Sequence, residues 1–422
     1  MDTTPSRPTA VVVGAGISGL TAAHVLNRTH EVVLVEARTR LGGHAHTHEI
    51  DTPAGRLGID SGFIVHNERT YPTFLRLLAD LGIATVETEM SMSITCRECG
   101  LSYAGGRGLG GLLASPRRLA DPRFARLLAE VPRFHRLARQ ALRGGLGEIS
   151  WGEFLARGGF SAYFVGHFAT PLVACVWSSG ARDAAAYPAA HLFRFLDNHG
   201  MLSVTGSPTW RTIAGGSARY VEALAAGLPD VRSGLPVRAI ERHDDGVSVR
   251  LRDGSCLAAD RVVLATHADE AAGVLVDATP AEKSALTAIP YSRNEIVLHT
   301  DGSLLPTRAR ARASWNYSRA TCAGEEPIVR VDYWMNKLHR LDADRDYVVT
   351  LNGETQVAPE TILARATYHH PVFTRASVAA AASLRDLGGP RLAFAGAHLG
   401  WGFHEDGARS GLAAAERLGG RW

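Results

Sequence analysis

Hydrophobic and polar positions follow several rhythms along this chain. Thr9–Val13 is a short, β-branched apolar run, the pattern of a parallel strand buried on both faces. The glycine-rich turn Gly14-Ala15-Gly16-Ile17-Ser18-Gly19 follows at once. Leu20–Leu26 then keeps helical spacing, and His30–Val35 is a second apolar run that ends in Glu36. The predicted order is strand, turn, helix, strand. Pro72–Leu81 predicts a helix, Ser91–Cys96 a strand, and Tyr103–Gly111 a glycine-rich passage. Pro116–Leu142 alternates Arg with Leu, Phe and Ala at helical spacing, which predicts one or two amphipathic helices with basic outer faces. Trp151–Trp177 continues as helix rich in Phe and Tyr, so the middle of the chain is expected to be a mainly helical cap.

The βαβ pattern returns later. Thr212–Ser217 carries a Gly215-Gly216 turn and leads into the helix Tyr220–Leu228. Pro236–Ile240, Gly246–Leu251 and Ala259–Ala265 predict a small meander, with Arg261–Thr266 returning to the first domain. Tyr291–Thr300, Ser314–Tyr317 and Arg330–Trp334 predict strands of a second sheet. Arg391–Ala395 predicts a strand, and Arg409–Leu418 the last helix. No internal repeat and no low-complexity linker interrupts this order.

The first turn carries the dinucleotide fingerprint. Gly14 permits the tight turn, Gly16 lets backbone approach a pyrophosphate, and Gly19 lets helix and strand pack closely. The helix N-terminus then offers unpaired N–H groups and a favourable dipole to phosphates. Glu36 stands where a carboxylate accepts hydrogen bonds from ribose hydroxyls, which disfavours NADP. Two further glycine-centred loops, Arg38–His44 and Gly58–Phe63, let backbone pass close to a flat or phosphorylated ligand. The second glycine pair points to flavoproteins rather than simple NAD dehydrogenases.

Composition narrows the classes. A length of 422 residues suits two or three domains. The 45 Lys and Arg against 42 Asp and Glu leave +3, no case for nucleic acid. Five scattered cysteines exclude a disulfide scaffold. Met1–Ala10 is polar without a signal-peptide pattern, and no apolar run is long enough for a transmembrane helix. The expected compartment is the cytoplasm. A solvated face is the preferred reading of the basic helices, with peripheral membrane contact left open.

Other candidate chemistry is local. Cys96-Arg-Glu-Cys99 has CxxC spacing, but no second CxxC follows and no obvious His pair completes a zinc site. A plain turn is preferred over a zinc half-site or a redox pair, and no metal is expected. His44, His46 and His48 would share one face of a strand, as metal ligands can, though a polar strand near a flavin is the simpler reading. Asp197 and Asn198 look like a turn or an N-cap before Gly200, with His199 a candidate base. Tyr368-His369-His370-Pro371 could line the site from the second sheet, and Trp315 and Trp334 are expected in the core.

In this order, the fingerprint, the Leu41-Gly42-Gly43 loop, the Gly215-Gly216 turn, the Val237 strand and Glu405-Asp406-Gly407 resemble the flavin amine oxidase and phytoene desaturase superfamily. The resemblance covers nearly the whole chain. It is closer still to a bacterial branch of NAD/FAD-binding proteins, through Gly62–Pro72, Phe195–Gly200 and Gly402–Gly407. That branch looks associated with modification of unsaturated or methyl-branched fatty acyl chains. The resemblance implies non-covalent FAD, since no cysteine stands in the C-terminal loop. It implies Glu36 at the adenosine ribose, Arg38 and Arg40 near the phosphates, and Val237 at the adenine. Asp406 or Gly407 would meet the pyrophosphate or ribityl chain, and His404 the pyrimidine edge. Ile17, Ser18, Ala37, Gly42, Gly43, His44, Gly62, Phe63, Gly396 and Glu405 complete the expected cofactor contacts. Amine oxidases of this type carry a lysine on the strand that begins near Pro290, and Tyr291–Ile296 has none. They also cage the amine between two aromatics; Phe403 could be one, without an evident partner.

The expected fold is α/β: a glutathione-reductase-like, Rossmann-type FAD domain with a mixed-sheet and helical-cap substrate domain. Residues 1–85, 205–270 and 385–422 are assigned to the first, and 86–204 and 271–384 to the second. The expected function is an FAD-dependent oxidoreductase of dehydrogenase or desaturase type, moving hydride from a small hydrophobic, acyl- or lipid-like substrate to flavin N5. The alternatives are a peroxide-releasing flavin amine oxidase and a redox-neutral FAD-dependent isomerase or hydratase. His199, His369 and His404 are the candidate catalytic residues.

Overall fold

Strand β1 (Thr9–Val13), helix α1 (Ile17–Leu26) and strand β2 (Glu31–Val35) form the expected βαβ unit. Residues 7–53, 55–106, 108–112, 114–115, 120–145, 147–177, 181–203, 206–322 and 329–422 are described by this computed structural model. The opening segment 1–6 and the first residues of the expected basic helix, 116–119, lie outside the described residues. Five strands make a parallel sheet in the order Asp230–Arg232, β2, β1, Arg261–Leu264 and Leu392–Phe394. Both faces are covered, and period-2 alternation divides β1 between two cores. Ala10 and Val12 pack toward α1 and the last helix, His404–Arg417. Val11 and Val13 pack toward a three-stranded meander and the helices behind it. The last helix lies so close along α1 that a Cβ on Gly411 would stand 2.1 Å from the Ser18 carbonyl oxygen.

A seven-stranded mixed sheet forms the other half of the molecule. Its order is Ile362–Pro371, Tyr291–His299, Val348–Leu351, Val331–Trp334, Trp315–Arg319, Met92–Cys96 and Ser102–Gly105. Only Trp315–Arg319 and Met92–Cys96 run parallel; the other neighbours are antiparallel. An aromatic-rich core joins this sheet to the helical cap.

The basic segment, expected as one or two helices, is one, Pro122–Gly144, with Pro132 inside it. Several local expectations change. The Trp151–Trp177 stretch is broken into Trp151–Arg157, Ala162–Phe164, a π-helical turn Val165–Ala169 and Thr170–Trp177. Gly158-Gly159 ends the first piece, and Ser161 caps the next by accepting from the Phe164 N–H. The third meander strand is Cys256–Ala259, while Arg261–Leu264 belongs wholly to the parallel sheet. Asp197 and Asn198 form the last turn of the helix Ala189–Asn198, not an N-cap. His44 sits in a turn and His46 just before the strand Thr47–Thr52, so of the three only His48 lies on it and they share no strand face.

Candidate functional site

A cavity of about 1520 Å³ opens between the parallel sheet and the cap. At its sheet end, Gly14 (φ 99°) donates its N–H to the Val35 carbonyl at 2.8 Å and turns the chain into α1. Gly16 caps α1 with no side-chain hydrogen bond, so the first-turn N–H groups keep their capacity for a ligand. A Cβ on Gly16 would meet nothing within 4 Å, the signature of a backbone that faces open space. Gly19 differs: a Cβ there would stand 1.8 Å from the Gly14 oxygen, so this glycine serves packing and does not line the cavity.

Glu36 is held rigidly, accepting from the N–H groups of Ala15 at 2.7 Å and Arg38 at 2.9 Å. Each carboxylate oxygen keeps lone pairs for a further donor on the cavity wall. The next glycine loop is clipped beside this turn, with Gly42 donating to the Ala15 carbonyl at 2.8 Å. Arg40 lines the cavity, but it donates to the carbonyls of Leu41, Gly43 and Ala45 and so braces that loop. Ile17, Ser18, Ala37, Arg38, Gly43, His44, Gly62, Phe63, Val237 and Gly396 also reach the wall.

Besides Gly19, three expected contacts do not. Glu405 accepts from the N–H groups of Thr73 at 3.1 Å and Phe74 at 2.9 Å, capping the helix Pro72–Asp80. Asp406 accepts from the Phe403 N–H at 3.1 Å and pairs with Arg409 at 2.8 Å; burial pushes its carboxyl up to about 6. Gly407 faces Ile17, whose Cγ2 would be 2.6 Å from a Cβ there. Among the described residues these three serve the interior and none lines the cavity.

Beyond the glycine loops lies a ring of imidazoles and phenols. Tyr368 Oη is 2.8 Å from Ser61 Oγ and 3.0 Å from His46 Nδ1, and His48 Nε2 reaches the same serine at 2.8 Å. His44 lies against the rings of Tyr368 and His370, and its Nε2 is buried without a hydrogen-bond partner. Asn294 Nδ2 donates to His370 Nδ1 at 2.9 Å, which leaves that ring's proton on Nε2. His404 stacks flat on Phe63 with centroids 3.7 Å apart and bonds the Tyr220 hydroxyl at 2.7 Å. Desolvation holds these rings neutral: His199 and His370 are pushed down to about 4, His398 and His404 to about 3. His369 also lines the cavity, on the strand Ile362–Pro371.

The remaining arm of the cavity runs under the cap. Met92, Ile94 and Tyr103 line it from the sheet, and Leu127, Leu128 and Val131 from the helix Pro122–Gly144. Phe168 and Leu172 close it from the π turn and the helix after it, and Trp315, expected in the core, is part of the wall. Among the described residues the charged lining residues are Glu36, Arg38, Arg40, Arg238, Arg252 and Glu270, none of them on this arm. Lys337 pairs with Glu89 at 2.9 Å, and neither it nor Lys283 reaches the cavity. Phe403 stacks on Phe195 with centroids 4.6 Å apart.

The sequence reading missed His267, His398 and the Leu127–Val131 wall. His267 follows a strand that was recognised; the cap residues carry no local signal, because only tertiary contact brings them to the cavity. The residues present fit FAD: an open glycine cradle at a helix N-terminus, an anchored acid one strand away, and an orphaned buried imidazole nitrogen.

Comparison with known proteins agrees. The family profile described as flavin containing amine oxidoreductase matches residues 17–315. AofH of Mycobacterium tuberculosis, named as a flavin-containing monoamine oxidase, is 30% identical over 295 residues, 66% of this chain and 59% of that protein. The flavin-dependent L-tryptophan oxidase RebO of Lentzea aerocolonigenes is 28% identical over 270 residues, 58% of this chain and 54% of RebO. These matches span little more than half of each relative. Among solved structures, cyclohexylamine oxidase from Brevibacterium oxydans superposes with a TM-score of 0.73 at 17% identity, over 98% of both chains. The CLA-producing fatty acid isomerase from P. acnes gives 0.69 at 17% identity, over 98% of this chain and 99% of that one. At such identity the structures establish the fold.

Proposed function

This chain belongs to the flavin-containing amine oxidoreductase family, with FAD as its cofactor, and from that premise we propose that it oxidises a long, uncharged, acyl-chain-like substrate. One observation carries the proposal: among the described residues, the arm under the cap is lined without one acid or permanent cation. An ammonium substrate entering a dry arm would need a carboxylate or an aromatic cage to replace its hydration. Phe403 is stacked on Phe195 with centroids 4.6 Å apart, so this pair holds no cation between its rings. No lysine reaches the wall, so the amine machinery of the wider family has no counterpart here.

When bound, FAD supplies the two-electron acceptor for hydride from a C–H bond. The protein's part is placement. Gly14, Gly16 and the α1 N-terminus would hold the pyrophosphate, Glu36 the adenosine ribose, and Val237 the adenine. The apolar arm orients a chain by burying it, at about 0.8 kcal/mol for each CH₂ taken from water. His199, whose Nδ1 donates to the Phe195 carbonyl, keeps Nε2 free on the wall to accept a proton from the neighbouring carbon, whereas both nitrogens of His370 are already committed. His404 is fixed by Tyr220 and Phe63 and acts in positioning.

The test is anaerobic addition of an unsaturated fatty-acyl phospholipid to the yellow holoprotein, followed in the flavin absorption band. Bleaching within the assay supports the proposal. Bleaching by simple amines alone, with peroxide released in air, would make it an amine oxidase. Conversion of the lipid with no bleaching and no electron acceptor would make it an isomerase.

A further inference from the structure

The CxxC pair does not stand alone. Cys96 ends the strand Met92–Cys96, and Cys99 lies in the turn that leads to Ser102–Gly105. His167 comes from the π-helical turn of the cap, and Cys322 follows the strand Trp315–Arg319. One ligand atom from each of the four lies within 4.8 Å of all the others. The sulfurs of Cys96 and Cys322 are 3.6 Å apart, and Cys99 Sγ is 3.9 Å from His167 Nε2. The three cysteines form no disulfide, and of the four residues only Cys322 is partly exposed. We propose that Cys96, Cys99, His167 and Cys322 bind one structural zinc ion that staples the cap to the seven-stranded sheet.

Geometry supports a single tetrahedral ion. Zinc–sulfur bonds of about 2.3 Å and a zinc–nitrogen bond of about 2.0 Å place neighbouring ligand atoms roughly 3.6–3.8 Å apart. The 3.6 Å sulfur pair falls on that edge, and the 3.9 Å sulfur–nitrogen separation is a few tenths of an ångström longer than it. Three sulfurs and one imidazole form a closed, soft set with no position left for water, the pattern of structural rather than catalytic zinc. The outer contacts are also built. His167 Nδ1 is 3.0 Å from the Tyr163 carbonyl, which holds the proton on that nitrogen and turns Nε2 toward the sulfurs. The Tyr163 hydroxyl stands 3.6 Å from Cys99 Sγ. Glu98 accepts from the Cys322 N–H at 2.7 Å, fixing the fourth ligand's backbone to the CxxC turn. Arg319 donates to the carbonyls of Gly166, Thr321 and Cys322, so a buried cation lies beside a centre whose net charge would be −1. Binding displaces up to three thiol protons to solvent and changes no oxidation state.

The site adjoins the cavity without being part of it. Ile94 and Tyr103 on the hairpin line the arm, as do Phe168 and Leu172 just after His167. Tyr103 Oη donates to the His167 carbonyl at 2.7 Å. An ion here would fix the distance between two walls of the arm.

The test is metal analysis of holoprotein purified without chelators, with X-ray absorption at the zinc edge. The expected result is one zinc per chain in a shell of three sulfurs and one nitrogen. His167→Ala and Cys322→Ser should each lose at least nine-tenths of it, His167→Cys should keep it, and Cys256→Ser should change nothing. Two results would overturn the proposal: a protein that stays below a tenth of an equivalent after anaerobic incubation with zinc, or zinc that survives in the His167→Ala/Cys322→Ser double variant. Because wild-type stoichiometry is read directly, the test does not depend on the variants folding. Flavin reduction is not its readout, so the staple can fail while the acyl-chain reading stands.

Discussion

Replacing Gly16 and Gly19 by alanine should separate cofactor binding from folding. At Gly16 the backbone is ordinary (φ −72°), and a Cβ would meet nothing within 4 Å. The apoprotein should accept the methyl freely, and its melting temperature should stay within about 2 °C of wild type. The methyl would instead occupy the space through which a pyrophosphate approaches the α1 N–H groups. Losing one hydrogen bond to a charged group costs about 1.5–3 kcal/mol, so FAD should bind roughly 10–150-fold more weakly. At Gly19 the same methyl would lie 1.8 Å from the Gly14 oxygen and 3.2 Å from Ala265 Cβ. There the turn must open, and the expected loss is about 3 kcal/mol or more of stability. The assay is titration of deflavinated protein with FAD, followed by quenching of flavin fluorescence, with near-ultraviolet circular dichroism and melting of the apo form alongside. Wild-type FAD affinity in Gly16→Ala would refute the cradle. A misfolded Gly16→Ala apoprotein would refute the open space assigned to it.

Three further outcomes follow from the same geometry. Glu405→Ala leaves two N–H groups at the start of the helix Pro72–Asp80 without their acceptor; it should cost about 1–3 kcal/mol in chemical denaturation while flavin content per folded chain is unchanged. His199 and His370, pushed down to about 4, and His398 and His404, pushed down to about 3, are neutral in the fold and protonate near 6.5 when unfolded. Their stabilisation is complete above pH 6.5 and is lost as pH falls toward 4, by up to about 1.4 kcal/mol per pH unit for each ring. Melting temperature should therefore hold level above pH 7 and drop steeply below 6.5; a flat profile from pH 7 to 5 would contradict the buried neutral rings. Val131→Phe puts a larger side chain into the far arm, so anaerobic flavin reduction by long acyl chains should slow about tenfold or more while short chains are unaffected. Equal slowing for all lengths would count against a chain lying along that wall.

The parts of the molecule readable in advance are those set by short-range constraint. β1 and β2 needed only a β-branched run on each side of a glycine turn, and both appear within one residue of their expected bounds. The last helix starts at His404, five residues before its expected start, because Asp406 caps the Phe403 N–H. That cap also takes Asp406 away from the cofactor role its motif suggested. The cap was harder to read. Gly158, Gly159 and the π turn break a segment whose apolar content looks continuously helical, and the break depends on Arg319, more than 150 residues away in sequence, donating to the Gly166 carbonyl. The CxxC motif was visible as a pair, but its completing ligands lie 68 and 223 residues beyond Cys99, a distance no spacing rule bridges.

The parallel sheet sets a constraint on biosynthesis. The edge strand Leu392–Phe394 and the helix that covers α1 are made more than 350 residues after β1. At about 5–20 residues per second, that interval is roughly 20–80 s. Throughout it, α1, buried along nearly its whole length in the finished fold, has no lid. Within the chain, the βαβ unit is thus made well before the strand and helix that complete its packing.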